Sequence, residues 1–443
     1  MALVLDAVYL LLILAASPWL VWQAWRHGKY RAGWGAKLLG RVPPRRGSQP
    51  VAWFHAVSVG EVNLLGPLVA EMSRRLPAWE FVISTTTTTG YELARRKYPH
   101  WSVFYCPLDF SWAVRRALTR LRPQLLVLCE LELWPNLIRQ ARLQGAAVAV
   151  INGRLSERSF RGYRRLGRWV WPWLAGLDLV AVQNDEYAQR FLALGARPER
   201  VHVTGSIKFD GARGDRNDPQ VRALAHLAGI AEDDIVLLAG STQEPEEALA
   251  LATFRELATA YPRLRLIVVP RHAERFEAVA RLLSVSGLQF ARRSALSPAR
   301  PAPPTARVVL VDAIGELAAW WGLAEIAFVG GSLGSRGGQN MIEPSAYGAA
   351  VAFGPNTRNF RDVVSLLLEA RAARVVRDGA ELTAFVRNCL DDPAAAREMG
   401  GRARHLVATQ VGATRRTCEM LLALVEPSAE NRPAGRASHA SAA

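Results

Sequence analysis

Lysine is scarce in this 443-residue sequence: Lys29, Lys37, Lys97 and Lys208 are the only four among 55 basic residues. The four cysteines, Cys106, Cys129, Cys389 and Cys418, lie far apart with no Cys-x-x-Cys pair. That excludes a disulfide framework or a zinc module and fits a reducing compartment. No Asp-x-Asp, no GK[ST] and no GxGxxG occurs, so a metal-bound diphosphate site, a P-loop and the dinucleotide fingerprint are all unwritten. What is present is half hydrophobic residues, 21% charged residues and a net charge of +16. This hydrophobicity excludes a disordered chain, the length favours two folded domains, and the charge favours anionic partners such as phosphates or an anionic membrane face.

Ala7 to Trp25 is an uncharged run rich in Leu, Val and Trp, followed by Arg26, Lys29, Arg31, Lys37, Arg41, Arg45 and Arg46, with no acid between Asp6 and Glu61. A run of this length can span a bilayer core, and the basic flank predicts the bulk of the chain on the cytoplasmic side with the acidic N-terminus outside. Trp19, Trp22 and Trp25 suit an interfacial belt. Pro18 and Gln23 weaken a spanning helix and leave open one lying in the membrane interface. A cleaved signal peptide would carry the opposite charge order.

Beyond this segment, strands and helices alternate. Val51–Val59, Phe81–Ser84, Leu125–Cys129, Ala147–Ile151 and Leu179–Val182 read as strands. The polar stretch Gly211–Pro219 reads as a linker, after which Ile235–Ala239, Leu264–Val269, Arg307–Val311 and Ile326–Val329 repeat the pattern. The alternation predicts α/β architecture with parallel sheets covered on both faces, and two such halves imply a ligand cleft at strand carboxyl ends. Residues 427–443, rich in Ser, Ala and Pro, read as a disordered tail.

Chemistry-bearing residues collect where strands end. Glu61 sits where a strand turns into a helix and fits either a general base or a favourable first-turn acid. STTTTTG (84–90) offers hydroxyls and N–H groups to an anionic or polyhydroxylated group, or a simple helix cap. Glu130 and Glu132 follow the next strand, and alternation predicts that only one faces the cleft. Lys208 precedes the linker. Gly240-Ser241-Thr242 ends a strand ahead of the acid-rich helix start Glu244–Glu247. Arg271 ends another strand, with a donor fork suited to phosphate. Gly330–Gly348 is a glycine-rich turn opening a helix, where backbone N–H groups can approach a phosphate and Glu343 can accept ribose hydroxyls.

Together, HAVSVGE (55–61), STTTTTG (84–90), CELELWPN (129–136), VTGSIKFD (203–210), VPRHAERF (269–276), DAIGEL (312–317) and GGSLGSRGGQNMIEP (330–344) resemble the 3-deoxy-D-manno-octulosonic acid (Kdo) transferases of lipopolysaccharide assembly. The resemblance runs in motif order from the N-terminal segment to about residue 420. It implies an α/β fold of two Rossmann-like domains facing a cleft, the type B glycosyltransferase architecture, with an N-terminal membrane anchor helix. The expected organisation is an anchor over 1–25, a basic segment over 26–48, an acceptor-binding domain over 49–210, a linker over 211–219, a CMP-sugar-binding domain over 220–426 and the tail.

The resemblance further implies CMP-Kdo as donor and lipid IVA as acceptor, with inversion, no metal, no other cofactor and no nucleic acid partner, at the cytoplasmic face of the bacterial inner membrane. Glu61 matches the family's general base, and Glu130 and Lys208 match transition-state stabilisers. Pro270, Arg271, Ile314, Gly315, Glu316, Asn340, Met341, Ile342 and Glu343 match the CMP-binding segments. Gln243 and Gln339 stand where relatives often carry His, and Pro245 where Gly is usual. Two alternatives are a type B transferase using another nucleotide sugar and a membrane-tethered, non-catalytic binder. The oligomeric state and the number of Kdo residues added are not legible in these motifs.

Overall fold

A computed structural model describes residues 2–27, 32–45, 47–167, 171–212 and 214–425. The expected disordered tail, together with Lys29, Arg31 and Arg46 of the basic segment, lies outside the described residues. The chain divides into two compact units, one made of residues 1–210 and those from 411 onward, the other of residues 211–410.

The first unit carries a wholly parallel sheet of seven described strands: β1 (Val51–His55), β2 (Glu80–Thr85), β3 (Ser102–Tyr105), β4 (Leu125–Cys129), β5 (Ala147–Gly153), β6 (Leu179–Val182) and β7 (Val201–Val203), in the order 3-2-1-4-5-6-7. The runs VAWFH and LLVLC are buried at every position because helices cover both faces, which is why they do not alternate with polar residues. Strand order reverses direction between β1 and β4. In register, His55 stands opposite Ser84 of β2 and Leu128 of β4, so the carboxyl ends of three strands finish level with one another. That switch point is where an open parallel sheet leaves a crevice.

One face of this sheet packs Phe54, Phe81 and Ile83 against the helix Val59–Arg75 and against a second helix, Ala413–Val425. Ala413, Cys418, Leu421 and Leu422 are buried in that cluster, and each buried leucine contributes about 1.5–3 kcal/mol. Asp210 ties the same helix down by accepting from the N–H groups of Gly412 and Thr414. The expected domain over 220–426 is therefore corrected at its end: the last described helix belongs to the core of the first unit, because its apolar stripe is buried there.

The second unit repeats the scheme with β8 (Ile235–Thr242), β9 (Leu264–Pro270), β10 (Phe290–Arg292), β11 (Val308–Leu310), β12 (Ile326–Val329), β13 (Ala350–Phe353) and β14 (Ala373–Val375), all parallel, in the order 10-11-9-8-12-13-14. Its switch point falls between β8 and β12, which lead into Gln243 and the glycine-rich segment.

The N-terminal segment departs from expectation. Ala2–His27 is one helix, as its apolar run suggests, but no helix among the described residues is long and apolar enough to cross a membrane. Asp6, Tyr9, Ser17, Pro18 and Gln23 dilute its apolarity. Nor do the contacts of this helix support a spanning topology with Asp6 on the far side of a bilayer. The Asp6 carboxylate is buried and accepts from Ser111 N–H (2.8 Å) and the Ser111 hydroxyl. Tyr9 donates to Asp109 and packs edge-on to Phe110. The helix instead lies along the first unit, burying a stripe through Asp6, Tyr9 and Ile13 while Val4, Val8, Leu10, Leu11, Leu14, Trp19, Trp22 and Trp25 stay exposed.

Candidate active site

In the first unit the site grows from the turn after β1. Ser58 caps the helix Val59–Arg75 and accepts from Glu61 N–H, while the Glu61 carboxylate accepts from the Ser58 hydroxyl and from Val57 N–H, both at 2.9 Å. This is a reciprocal cap, so the first-turn role is real. A carboxylate offers about four acceptor positions, which leaves Glu61 able to take a proton as well. Burial pushes its pKa up, and the neighbouring charges of Glu130 and Glu132 add to that against the Val57 and Ser58 hydrogen bonds; the result is about 7.

The charges of Glu130 and Glu132 both act on Glu61, while the two carboxylates meet different partners, Lys208 for Glu130 and His55 for Glu132. Alternation holds only for extended chain, and β4 ends at Cys129; Glu130 has φ +53° and opens a turn. The Glu130 carboxylate lies 3.2 Å from Lys208 Nζ and 3.8 Å from Arg154. Three residues expected from sequence, Glu61, Glu130 and Lys208, thus belong to one electrostatic cluster.

Sequence reasoning missed the groups that hold this cluster. His55 is fully buried, with Nδ1 2.9 Å from Ser84 Oγ and Nε2 3.8 Å from Glu132. Trp53 Nε1–H donates to the same Ser84 hydroxyl, and Trp134 Nε1–H donates to Glu132 at 2.8 Å. Asn152, buried with φ +50°, accepts from Ile207 N–H and so fixes the turn that carries Lys208. An Asn at the end of a strand in the left-handed region was the available signal.

The second unit holds the expected CMP-binding residues at its strand ends. Pro270 closes β9 and is buried; Arg271 is exposed and its N–H donates to Thr242 O. Asn340 donates to the Glu343 carboxylate (2.9 Å) and accepts from Ile342 N–H, with Met341 and Ile342 buried beneath. Burial raises the Glu343 pKa, opposed by the Asn340 hydrogen bond and the Arg271 charge. Ile314 is 80% exposed beside Gly315, whose φ of +93° requires glycine, and Glu316 is held by Arg293 through two 2.9 Å hydrogen bonds.

The glycine-rich turn corrects one expectation. Its N–H groups at Gly331, Ser332 and Leu333 do not stand open for a phosphate; they donate to the buried carboxylate of Glu246, which also accepts from Gln243 N–H. A Cβ at Gly330 would meet Thr242, Glu246 and Ser241 O within 2.7 Å, so glycine is demanded by this close approach. Gln243 and Gln339 flank the same spot, each Nε2 within 3.5 Å of where a Gly331 Cβ would be. Beside it opens a cavity of about 670 Å³ bordered by His272, Arg275 and Arg336. Among the described residues no three His, Cys, Asp or Glu side chains gather as a metal-binding group.

Two parallel, doubly wound units in one chain, each with charged groups at its switch point, define the type B glycosyltransferase class of fold. Solved structures of this shape include a UDP-GlcNAc 2-epimerase from Neisseria meningitidis bound to UDP-GlcNAc (13% identity, 84% of this chain and 99% of that one, TM-score 0.54) and a glycosyltransferase from Rickettsia africae (11% identity, 86% and 100%, TM-score 0.52), likenesses of fold alone. The family model for 3-Deoxy-D-manno-octulosonic-acid transferase (kdotransferase) matches residues 31–211. Two 3-deoxy-D-manno-octulosonic acid transferases are similar over most of the chain: that of Bordetella pertussis at 37% identity (94% of this chain, 98% of the relative) and that of Haemophilus influenzae at 34% (87% and 88%). The chain belongs to the 3-deoxy-D-manno-octulosonic acid transferase family and is a glycosyltransferase.

Proposed function

We propose that the protein transfers Kdo from CMP-Kdo to the lipid A precursor lipid IVA, with inversion at the anomeric carbon and without a metal, and that Glu61 is the general base. The observation that carries the base assignment is a partly buried carboxylate with a pKa near 7 at a strand-end crevice, close to the value at which a base is both ionised and basic at neutral pH. In this reading Glu61 accepts the proton of an acceptor sugar hydroxyl as that oxygen bonds to the anomeric carbon. The carbon–oxygen bond to CMP breaks with its electron pair on the phosphate. Lys208, oriented by Glu130, offsets negative charge as it develops. Pro270, Arg271, the turn 314–316 and residues 340–343 hold CMP.

We assign the reaction to the cytoplasmic face of the inner membrane, with the helix Ala2–His27 lying in the interface. Its exposed Leu, Val and Trp side chains form the apolar patch that such binding uses, and Arg41 and Arg45 add attraction to anionic lipid.

The test is incubation of detergent-solubilised protein with lipid IVA and CMP-Kdo generated in situ, read by mass spectrometry of the lipid. A gain of one or more Kdo units supports the reading and counts the additions. Transfer from a UDP-sugar instead would overturn the donor. CMP binding without any transfer by a folded protein would leave a binder.

A further inference from the structure

The first unit contains a cavity of about 710 Å³, lined by Leu12 and Ile13 of the N-terminal helix and by Leu108 and Phe110. That size falls within the range of about 300–1,000 Å³ typical of ligand sites. Its lining is mixed. The residues just named are apolar. Thr86–Thr89, Asp109 and Lys37 also line it, and the Lys37 ammonium rests 4.6 Å from the centre of the Tyr105 ring.

The cavity is joined to the carboxylate cluster at two places. Thr87 and Thr85 both donate to Val57 O at 3.0 Å, and Val57 N–H donates to Glu61. Trp134 lines the cavity and donates to Glu132. The threonine turn that lines the cavity is therefore bonded to the same residue, Val57, that holds Glu61. The mixed lining fits one kind of ligand: an apolar tail, an anionic group for Lys37 and hydroxyls for the threonine turn.

We infer that this cavity takes one acyl chain of the acceptor lipid, with Lys37 meeting an acceptor phosphate and the threonine turn meeting its sugar. This deepens the reading given under Proposed function and rests on it. On this account the enzyme lifts part of its acceptor out of the bilayer, and the N-terminal helix is a wall of the binding site as well as a membrane contact.

The experiment uses the full chain in detergent micelles and a lipid IVA analogue carrying a photoreactive diazirine on one acyl chain. Irradiation and peptide mapping are expected to place the label on Ile13, Leu108 or Phe110. Ile13→Trp, which fills the cavity, is expected to cut that labelling at least tenfold, and unlabelled lipid IVA to compete far better than phosphatidylethanolamine. Labelling confined to exposed Val4, Leu11 or Trp19, or equal competition by the phospholipid, would overturn the proposal.

In the transfer assay Lys37→Ala is expected to raise KM for lipid IVA severalfold and leave KM for CMP-Kdo unchanged; a rise of both together would mean a structural role only. Labelling does not depend on turnover. A protein labelled in the cavity that moves no Kdo would therefore refute the transferase reading and not the occupancy of the cavity.

Discussion

Glu61 joins two roles that conflict. It closes the cap of its helix, yet partial burial, with two other carboxylates adding to it, holds its pKa near 7. Glu61→Gln keeps a hydrogen-bonding shape without a base. Its transfer rate is expected to fall by about 10²–10⁴-fold, the usual contribution of a positioned base, with CMP binding by calorimetry unchanged. In the wild type kcat/KM for the acceptor should rise with pH through about 7 as the carboxylate ionises, and this limb should vanish in the variant. The folded pKa lies above the unfolded one, so the group favours the fold below the unfolded value and loses that contribution as pH rises through 7. Glu61→Gln should therefore raise the melting temperature at pH 8, by the equivalent of about 1–3 kcal/mol, with little gain at pH 5. Equal gains at both pH values would show that ionisation of the buried carboxylate is not the cause.

At the scale of elements, carboxylates far away in sequence do the capping that neighbours do not. The helix Ser111–Leu121 has no side-chain cap of its own and receives Asp6; the helix Pro135–Leu143 likewise receives Asp109, whose pKa burial pushes up to about 7. Asp6→Ala leaves Ser111 N–H without its acceptor, and a buried unpaired donor costs about 1–3 kcal/mol. Faster amide exchange over residues 2–27 and a higher KM for the acceptor are expected, with donor KM unmoved; unaltered exchange would mean the helix is held by its apolar stripe alone. Glu246→Gln should be costlier to the second unit. One amide oxygen cannot replace two carboxylate oxygens that together receive four N–H groups, so weaker CMP binding and a lower melting temperature should appear together.

These contacts also show where sequence reading stops. Nine strands were legible as apolar runs, whereas placement alone left Glu61 and Lys208 open between a chemical role and an ordinary first-turn acid or surface lysine, and only the motifs carrying the family resemblance singled them out. The five unread strands, β3, β7, β10, β13 and β14, are three or four residues each and offer only short runs. The second acid at the site, Glu132, was obscured because alternation fails once Glu130 takes a positive φ. Asp6 and Glu246 were illegible for another reason. Their partners lie 105 and more than 80 residues away, beyond any periodicity.

For the whole molecule, the exposed apolar side of the N-terminal helix predicts membrane association without a span. Co-sedimentation with vesicles containing anionic lipid is expected for the wild type. Leu11→Asp combined with Leu14→Asp, both exposed, should release the protein without lowering its melting temperature. Retention of that double variant on vesicles would place the contact elsewhere.

The return of Ala413–Val425 to the first unit has a consequence for biosynthesis. Residues 211–410 form their unit from an unbroken stretch of chain, whereas the unit that begins at the N-terminus lacks part of its core until the last helix emerges. At about 5–20 residues per second this leaves the helix Val59–Arg75 with an uncovered apolar face for roughly 20–70 s. The half of the protein made first is thus the half finished last. A chain stopped at residue 410 should bind CMP yet engage chaperones through its exposed N-terminal unit, and supplying residues 411–425 as a separate peptide should quench that binding.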